Sequence, residues 1–159
     1  MSSTLPRPAP DFALPDQHGR TTTLTSFHGK KNLVLVFYPF AFTSVCSGEL
    51  HALQRELDAL QREDTTLLAV SCDSMHAQRA FSDQEGFDFP LLSDFWPHGN
   101  ASRAYGVFDE EKGCALRGSF VIDRDGVIRW SVLNGLPDAR DLHDYVKALE
   151  AVRSTGTGH

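Results

Sequence analysis

The run NLVLVFY, Asn32 to Tyr38, carries no charged residue and is rich in β-branched and aromatic side chains. Apolar residues at successive positions, rather than at every second one, describe a strand buried on both faces. Such a strand needs a covering layer on each side of its sheet, which points to an α/β architecture. Pro39 ends the run. From Thr43 the spacing changes, and Cys46, Leu50, Leu53, Leu57 and Leu60 recur at intervals of four, three, four and three. That is one face of an amphipathic helix.

A second apolar run, TLLAVSC from Thr66 to Cys72, predicts another buried strand, and SMHAQRAFSDQEG after it predicts a helix closed by Gly86. Strand, helix, strand, helix implies parallel pairing. Further on, CALRGSFVID, the turn DRDG and VIRWSVL predict an antiparallel hairpin, so the sheet is mixed. In front of all this, DFALPDQHGRTTTL predicts a β-hairpin around Asp16 to Arg20, with Gly19 supplying a positive-φ turn position. A last helix is expected from about Asp138 to Val152, followed by a frayed STGTGH. This order matches the thioredoxin fold with additions: α/β, a mixed central β-sheet flanked by helices, and an N-terminal β-hairpin extension.

At 159 residues the chain suits one domain, expected over residues 1–153 with a disordered tail at 154–159. Fifteen basic residues, scattered along the chain, face twenty-one acidic ones, a formal charge of -6 that argues against a nucleic-acid or anionic-membrane partner. No apolar run approaches the roughly 20 residues of a membrane-spanning helix. The start, MSSTLPRPAPDF, lacks the basic, apolar and small-residue regions of a secretory signal, and a cytoplasmic location is expected. Cys46, Cys72 and Cys114 form no Cys-x-x-Cys pair, so free thiols are expected rather than a disulfide framework. The seven histidines form no metal-ligand constellation, and no glycine-rich phosphate loop implies a nucleotide; no cofactor and no metal are expected.

If Thr43 caps its helix, Cys46 falls at the third helical position, near unpaired N–H donors and the positive end of the helix dipole. Both features favour thiolate over thiol. Cys46 also begins the apolar stripe of that helix, and free cysteine is among the most commonly buried residues. Spacing alone leaves nucleophile and core filler both open.

Taken together, Pro39-x-x-x-Thr43-x-x-Cys46 between a buried strand and a helix resembles the active-site motif of the peroxiredoxins, thiol peroxidases on a thioredoxin-like fold. The likeness runs from APDF at Ala9 through VFYPFAFTSVCSGEL and FPLLSDF to RGSFVIDRDG, and SDFWPHG is similar to the one-cysteine group that includes alkyl hydroperoxide reductase E. The resemblance implies that Cys46 is the peroxidatic nucleophile, that Thr43 aligns the peroxide, and that Arg117 stabilises thiolate and departing oxygen. It implies further that Pro39 shields the cysteine and that Glu49 orients the arginine. Phe40 and Phe42 are candidates for the pocket mouth, or for core.

No cysteine stands where the two-cysteine branches carry a resolving thiol: the tail from Leu149 has none, His51 occupies the position five beyond Cys46, and Ala77 to Gly86 has none. Cys72 is expected to be buried at a strand end and Cys114 to be exposed on a hairpin strand. The expectation is one-cysteine chemistry on a hydroperoxide substrate, with a low-molecular-weight thiol or redoxin as reductant and a homodimer as the assembly. Two alternatives stay open, a non-enzymatic peroxide sensor and a thiol-disulfide oxidoreductase. The second would normally carry a cysteine where Thr43 stands.

Overall fold

A computed structural model describes residues 6–43, 48, 50–53 and 65–133. The closing helix expected from Asp138 to Val152 and the expected tail lie outside them. Ten strands are described: β1 (Arg7–Pro8), β2 (Ala13–Pro15), β3 (Thr21–Thr23), β4 (Asn32–Phe37), β5 (Thr65–Ser71), β6 (Leu91–Ser93), β7 (Phe108–Asp109), β8 (Cys114–Ala115), β9 (Gly118–Ile122) and β10 (Val127–Leu133). Two helices, α1 (Met75–Glu85) and α2 (Asn100–Ala104), stand before and after β6.

Six strands form one sheet in the order β1-β10-β9-β4-β5-β6. All six residues of β4 are buried, as the continuous apolar run requires. On one side β4 runs parallel to β5, from Asn32 opposite Thr65 to Phe37 opposite Val70. On the other it runs antiparallel to β9, from Leu33 opposite Ile122 to Phe37 opposite Gly118. The sheet is therefore mixed, and alternate β4 side chains feed two cores. Val34, Val36 and Tyr38 join Leu50, Leu53, Phe81 and Phe89 on one face. Leu33, Leu35 and Phe37 join Phe12, Tyr105, Val107 and Phe120 on the other. Leu50 and Leu53, with 50–53 helical, confirm that part of the predicted amphipathic stripe; Leu57 and Leu60 lie outside the described residues.

Helix α1 is bounded by local chemistry. Ser74 accepts a hydrogen bond from the Ala77 N–H at 3.1 Å, and Gly86 takes the left-handed conformation at φ 74° where its N–H reaches Ser82 O. The front hairpin forms as expected from β2 and β3, with the Asp16 carboxylate accepting the N–H groups of His18 and Arg20. It makes its own two-stranded sheet rather than extending the large one.

The sequence reading fails in one place. CALRGSFVID is two strands, because the Leu116 N–H turns aside to Val107 O at 2.7 Å and β8 pairs with β7 in a separate ribbon. Only β9 continues into the hairpin with β10. That ribbon also buries Cys114, which the sequence reading had expected to be exposed. Helix α2 and strands β1, β6 and β7 are too short for a periodicity to announce. α2 owes its start to buried Asp94, whose Oδ1 accepts the Ala101 N–H and whose Oδ2 accepts both the N–H and the hydroxyl of Ser102.

Because Leu35 is fully buried at the centre of the sheet, Leu35→Ala removes buried surface and leaves a cavity. It is expected to lower unfolding free energy by about 2–5 kcal/mol, read as a lower urea midpoint with an unchanged slope.

Candidate active site

The loop that leaves β4 is held by its neighbours at each step. The Tyr38 N–H donates to Val70 O at 2.9 Å, the last contact with β5 before proline removes the next donor. The Tyr38 hydroxyl donates to Gln78 Oε1 at 2.5 Å, and the Gln78 amide donates to Leu92 O at 2.8 Å, which ties the end of β4 to α1 and β6. Three residues beyond Tyr38, the Ala41 N–H donates to Asp73 Oδ2 at 2.7 Å. The Ser71 hydroxyl donates to the same oxygen, and the Ser93 hydroxyl donates to the Asp73 carbonyl. Phe42 then takes φ 69°, a left-handed conformation that costs a bulky residue about 1–3 kcal/mol. Its ring lies 5.1 Å from that of Phe81, although half of its surface is exposed.

Pro39 is half-buried. Thr43 is exposed, and its hydroxyl donates to Phe40 O at 3.1 Å. Cys46 and Glu49 lie outside the described residues. Arg117 is buried, with 6% of its surface exposed, one residue before β9. The pairing of Phe37 with Gly118 sets it beside the end of β4, where the Pro39–Thr43 loop departs. Strand alternation carried back from Val121 assigns Arg117 to the face bearing Tyr38, Ala41 and Leu50. The fold thus brings three of the five expected site residues, Pro39, Thr43 and Arg117, to one end of the sheet.

The other two cysteines sit elsewhere in character. Cys72 follows β5, its sulfur 3.8 Å from the Ser102 hydroxyl. Burial pushes its thiol up to about 11, against the hydrogen bond from Ser102 and helped by the nearby charge of Asp94. Cys114 is 3% exposed. No disulfide joins these two.

Two features escaped sequence reasoning. Asp73 is one, a carboxylate directly beyond a buried strand whose only sequence signal is its position at the β5 exit. The other is His51, whose Nε2 lies 2.5 Å from Glu85 Oε1 while its ring packs 4.9 Å from Phe87. The histidine beside Glu85 holds that carboxyl below the usual range. The contact pins the helical residues 50–53 to the last turn of α1. Among the described residues no group of three or more His, Cys, Asp or Glu side chains is placed to hold a metal ion. None of the described helices is long and apolar enough to cross a membrane.

The chain is similar to known proteins in sequence and in fold. The family model described as the AhpC/TSA family matches residues 5–131. Alkyl hydroperoxide reductase E of Mycobacterium tuberculosis is 46% identical over 144 residues, covering 91% of this chain and 94% of the relative. Among solved structures, the reduced 2-Cys peroxiredoxin of Plasmodium vivax superposes with a TM-score of 0.87 at 28% identity, covering 98% of this chain and 85% of the other. AhpC of Enterococcus faecalis gives a TM-score of 0.86 at 29% identity, covering 98% and 96%.

Two outcomes are expected from the groups around the loop. Asp73→Ala strands the Ala41 N–H, at a cost of about 1–3 kcal/mol, and should speed hydrogen exchange at Ala41 well beyond any global loss of stability. Cys72, with a thiolate fraction of about one in a thousand near pH 8, should resist iodoacetamide until the protein is unfolded. The folded thiol keeps its proton where the unfolded one loses it. Its contribution to stability is therefore present below the ordinary thiol value of 9.0 and lost as pH rises toward about 11, which urea melts across that window would detect.

Proposed function

The chain belongs to the AhpC/TSA family of peroxiredoxins, the thiol-dependent peroxidases, and on that premise we propose that Cys46 is its peroxidatic nucleophile and an external thiol its reductant. The observation that carries this reading is the apposition of buried Arg117 to the loop that leads into Cys46. A guanidinium stays charged at any working pH and offers a rigid fork of donors, so it can hold a thiolate and also the negative charge that develops on a departing oxygen.

The Cys46 thiolate attacks one peroxide oxygen; the S–O bond forms with the sulfur lone pair as the O–O bond breaks. Sulfur is oxidised by two electrons to a sulfenic acid. The other oxygen leaves as hydroxide or alkoxide and takes up from solvent the proton that the thiol released on ionising, giving water or an alcohol. Thr43 aligns peroxide and sulfur and passes its hydrogen bond to the leaving oxygen, while Pro39 keeps water from the cysteine backbone and Glu49 steadies the arginine. The exposed rings of Phe40 and Phe42 stand at the mouth and suit hydroperoxides with an apolar substituent as well as hydrogen peroxide.

A thiol then condenses with the sulfenic acid to a mixed disulfide, releasing water, and a second thiol reduces that disulfide and restores Cys46. The burial of Cys72 and Cys114 and the raised pKa of Cys72 support reduction by a low-molecular-weight thiol or redoxin over an internal resolving thiol. A homodimer in the cytoplasm completes the proposal. A sensor that passes its oxidation to a partner shares the first step and differs in turnover; a disulfide reductase lacks support because Thr43 stands where its first cysteine would be.

The test mixes reduced protein with hydrogen peroxide or an organic hydroperoxide, traps sulfenic acid and reads peptide masses. Peroxide consumption should fall to background in Cys46→Ser, by about 10²–10³-fold in Arg117→Lys, and by about 10²-fold in Thr43→Val. The Cys72→Ser, Cys114→Ser double variant should turn over like wild type when thiol is supplied. Wild-type rates in Cys46→Ser would end the proposal, and a disulfide from Cys46 to Cys72 or Cys114 would replace the external-thiol step. Steady consumption with added thiol separates enzyme from sensor.

A further inference from the structure

On the opposite face of the sheet from Arg117 lies a half-open cavity of about 400 Å³ that the peroxidase reading does not use. Its walls are Tyr105, Val107, Phe120 and Leu133, and Arg7 and Arg103 stand in its lining. The pairing of Arg7 with Ile128 aims Arg7 to the same face as Phe120 and Ile128, which share one core. A volume of this size is within the range of small-molecule sites.

The charge of the cavity runs against that of the protein. The chain carries a formal charge of -6, yet among the described residues the lining includes two arginines and no aspartate or glutamate. Arg103 is engaged outside the cavity, donating to Glu110 with its guanidinium carbon 4.2 Å from the centre of the Phe108 ring. Arg7 is not. Its Nε is the one buried side-chain nitrogen or oxygen among the described residues that has no hydrogen-bond partner. Asp11, whose charge reaches the Tyr105 hydroxyl, is exposed, accepts the Phe12 N–H and does not line the cavity. A buried donor left unpaired is costly, and native proteins pair such groups with protein, water or ligand.

We propose that this cavity is a binding site for a small carboxylate with an apolar body, its carboxylate held by Arg7 and its body against Val107, Phe120 and Leu133. A carboxylate offers acceptors in the planar geometry a guanidinium fork matches, and hydrogen bonds between charged groups are about twice as strong as neutral ones. The apolar walls reject a fully hydrated inorganic anion and favour a hydrocarbon body. The site is independent of Cys46, so it can be tested in protein that cannot turn over.

Cys46→Ser protein is titrated calorimetrically with 4-phenylbutyrate and, as a neutral control of the same body, with 4-phenylbutanol. The acid should bind saturably at one site, about tenfold or more tighter than the alcohol. Adding Arg7→Met, which keeps the aliphatic stem, should weaken the acid by a similar factor while circular dichroism stays native. Leu133→Glu, at an exposed position on the cavity mouth, should weaken the acid through charge repulsion and serves if Arg7→Met does not fold. No saturable binding, equal binding of acid and alcohol, or an unchanged affinity in these variants would overturn the assignment. Dimer contacts that exclude the acid until Arg7→Met separates the protomers would overturn it equally.

Discussion

Strand β4 has no face in water. Val34, Val36 and Tyr38 enter one core while Leu33, Leu35 and Phe37 enter the other, so both sides of the sheet must be covered and both neighbouring strands must be in place for β4 to exist. The hydrophobic effect is non-directional, but the two-residue period of a strand turns it into a layered arrangement. It also dictates where chemistry can happen. Past Asn32 no polar side chain stands on β4, and the backbone first meets side chains able to do chemistry where the strand ends.

At that end the chain trades hydrophobic burial for specific polar contacts. Asp73 collects the Ala41 N–H and the Ser71 hydroxyl, and Ser93 anchors the Asp73 carbonyl, so three successive parallel strands are tied together at one edge. Tyr38 and Gln78 form a second tie below. These contacts hold the loop in a path that includes a left-handed phenylalanine, a conformation that persists only where its surroundings over-determine it. A site that must hold reacting atoms in line benefits from a rigid approach of this kind.

Much of this was legible in the residues. The continuous apolar run announced the central strand, spacings of four and three announced the helical turn at Leu50 and Leu53, and Asp16 to Arg20 and Asp123 to Gly126 announced their turns through side chains that bond their own backbone. The short pieces β1, β6, β7 and α2 were silent, because two to five residues are too few for a period. CALRGSFVID misled for a related reason: nothing local marks that Leu116 will bond to Val107 instead of continuing a strand. Burial of Cys114 follows from the same diversion.

The sequence by itself determined the fold class, the order of the main elements, and the motif through which Pro39, Thr43 and Cys46 resemble a peroxiredoxin site, since each of these is written in residues close together in the chain. Tertiary structure alone decided that Arg117 stands beside that loop, that Asp73 secures it, that Cys72 and Cys114 are enclosed, and that half-buried Arg7 has its Nε enclosed and unpaired. The reason is that these facts depend on the register between strands far apart in the chain. A register is set by the hydrogen-bonded ladder and by which face is buried, and neither can be read from any one segment.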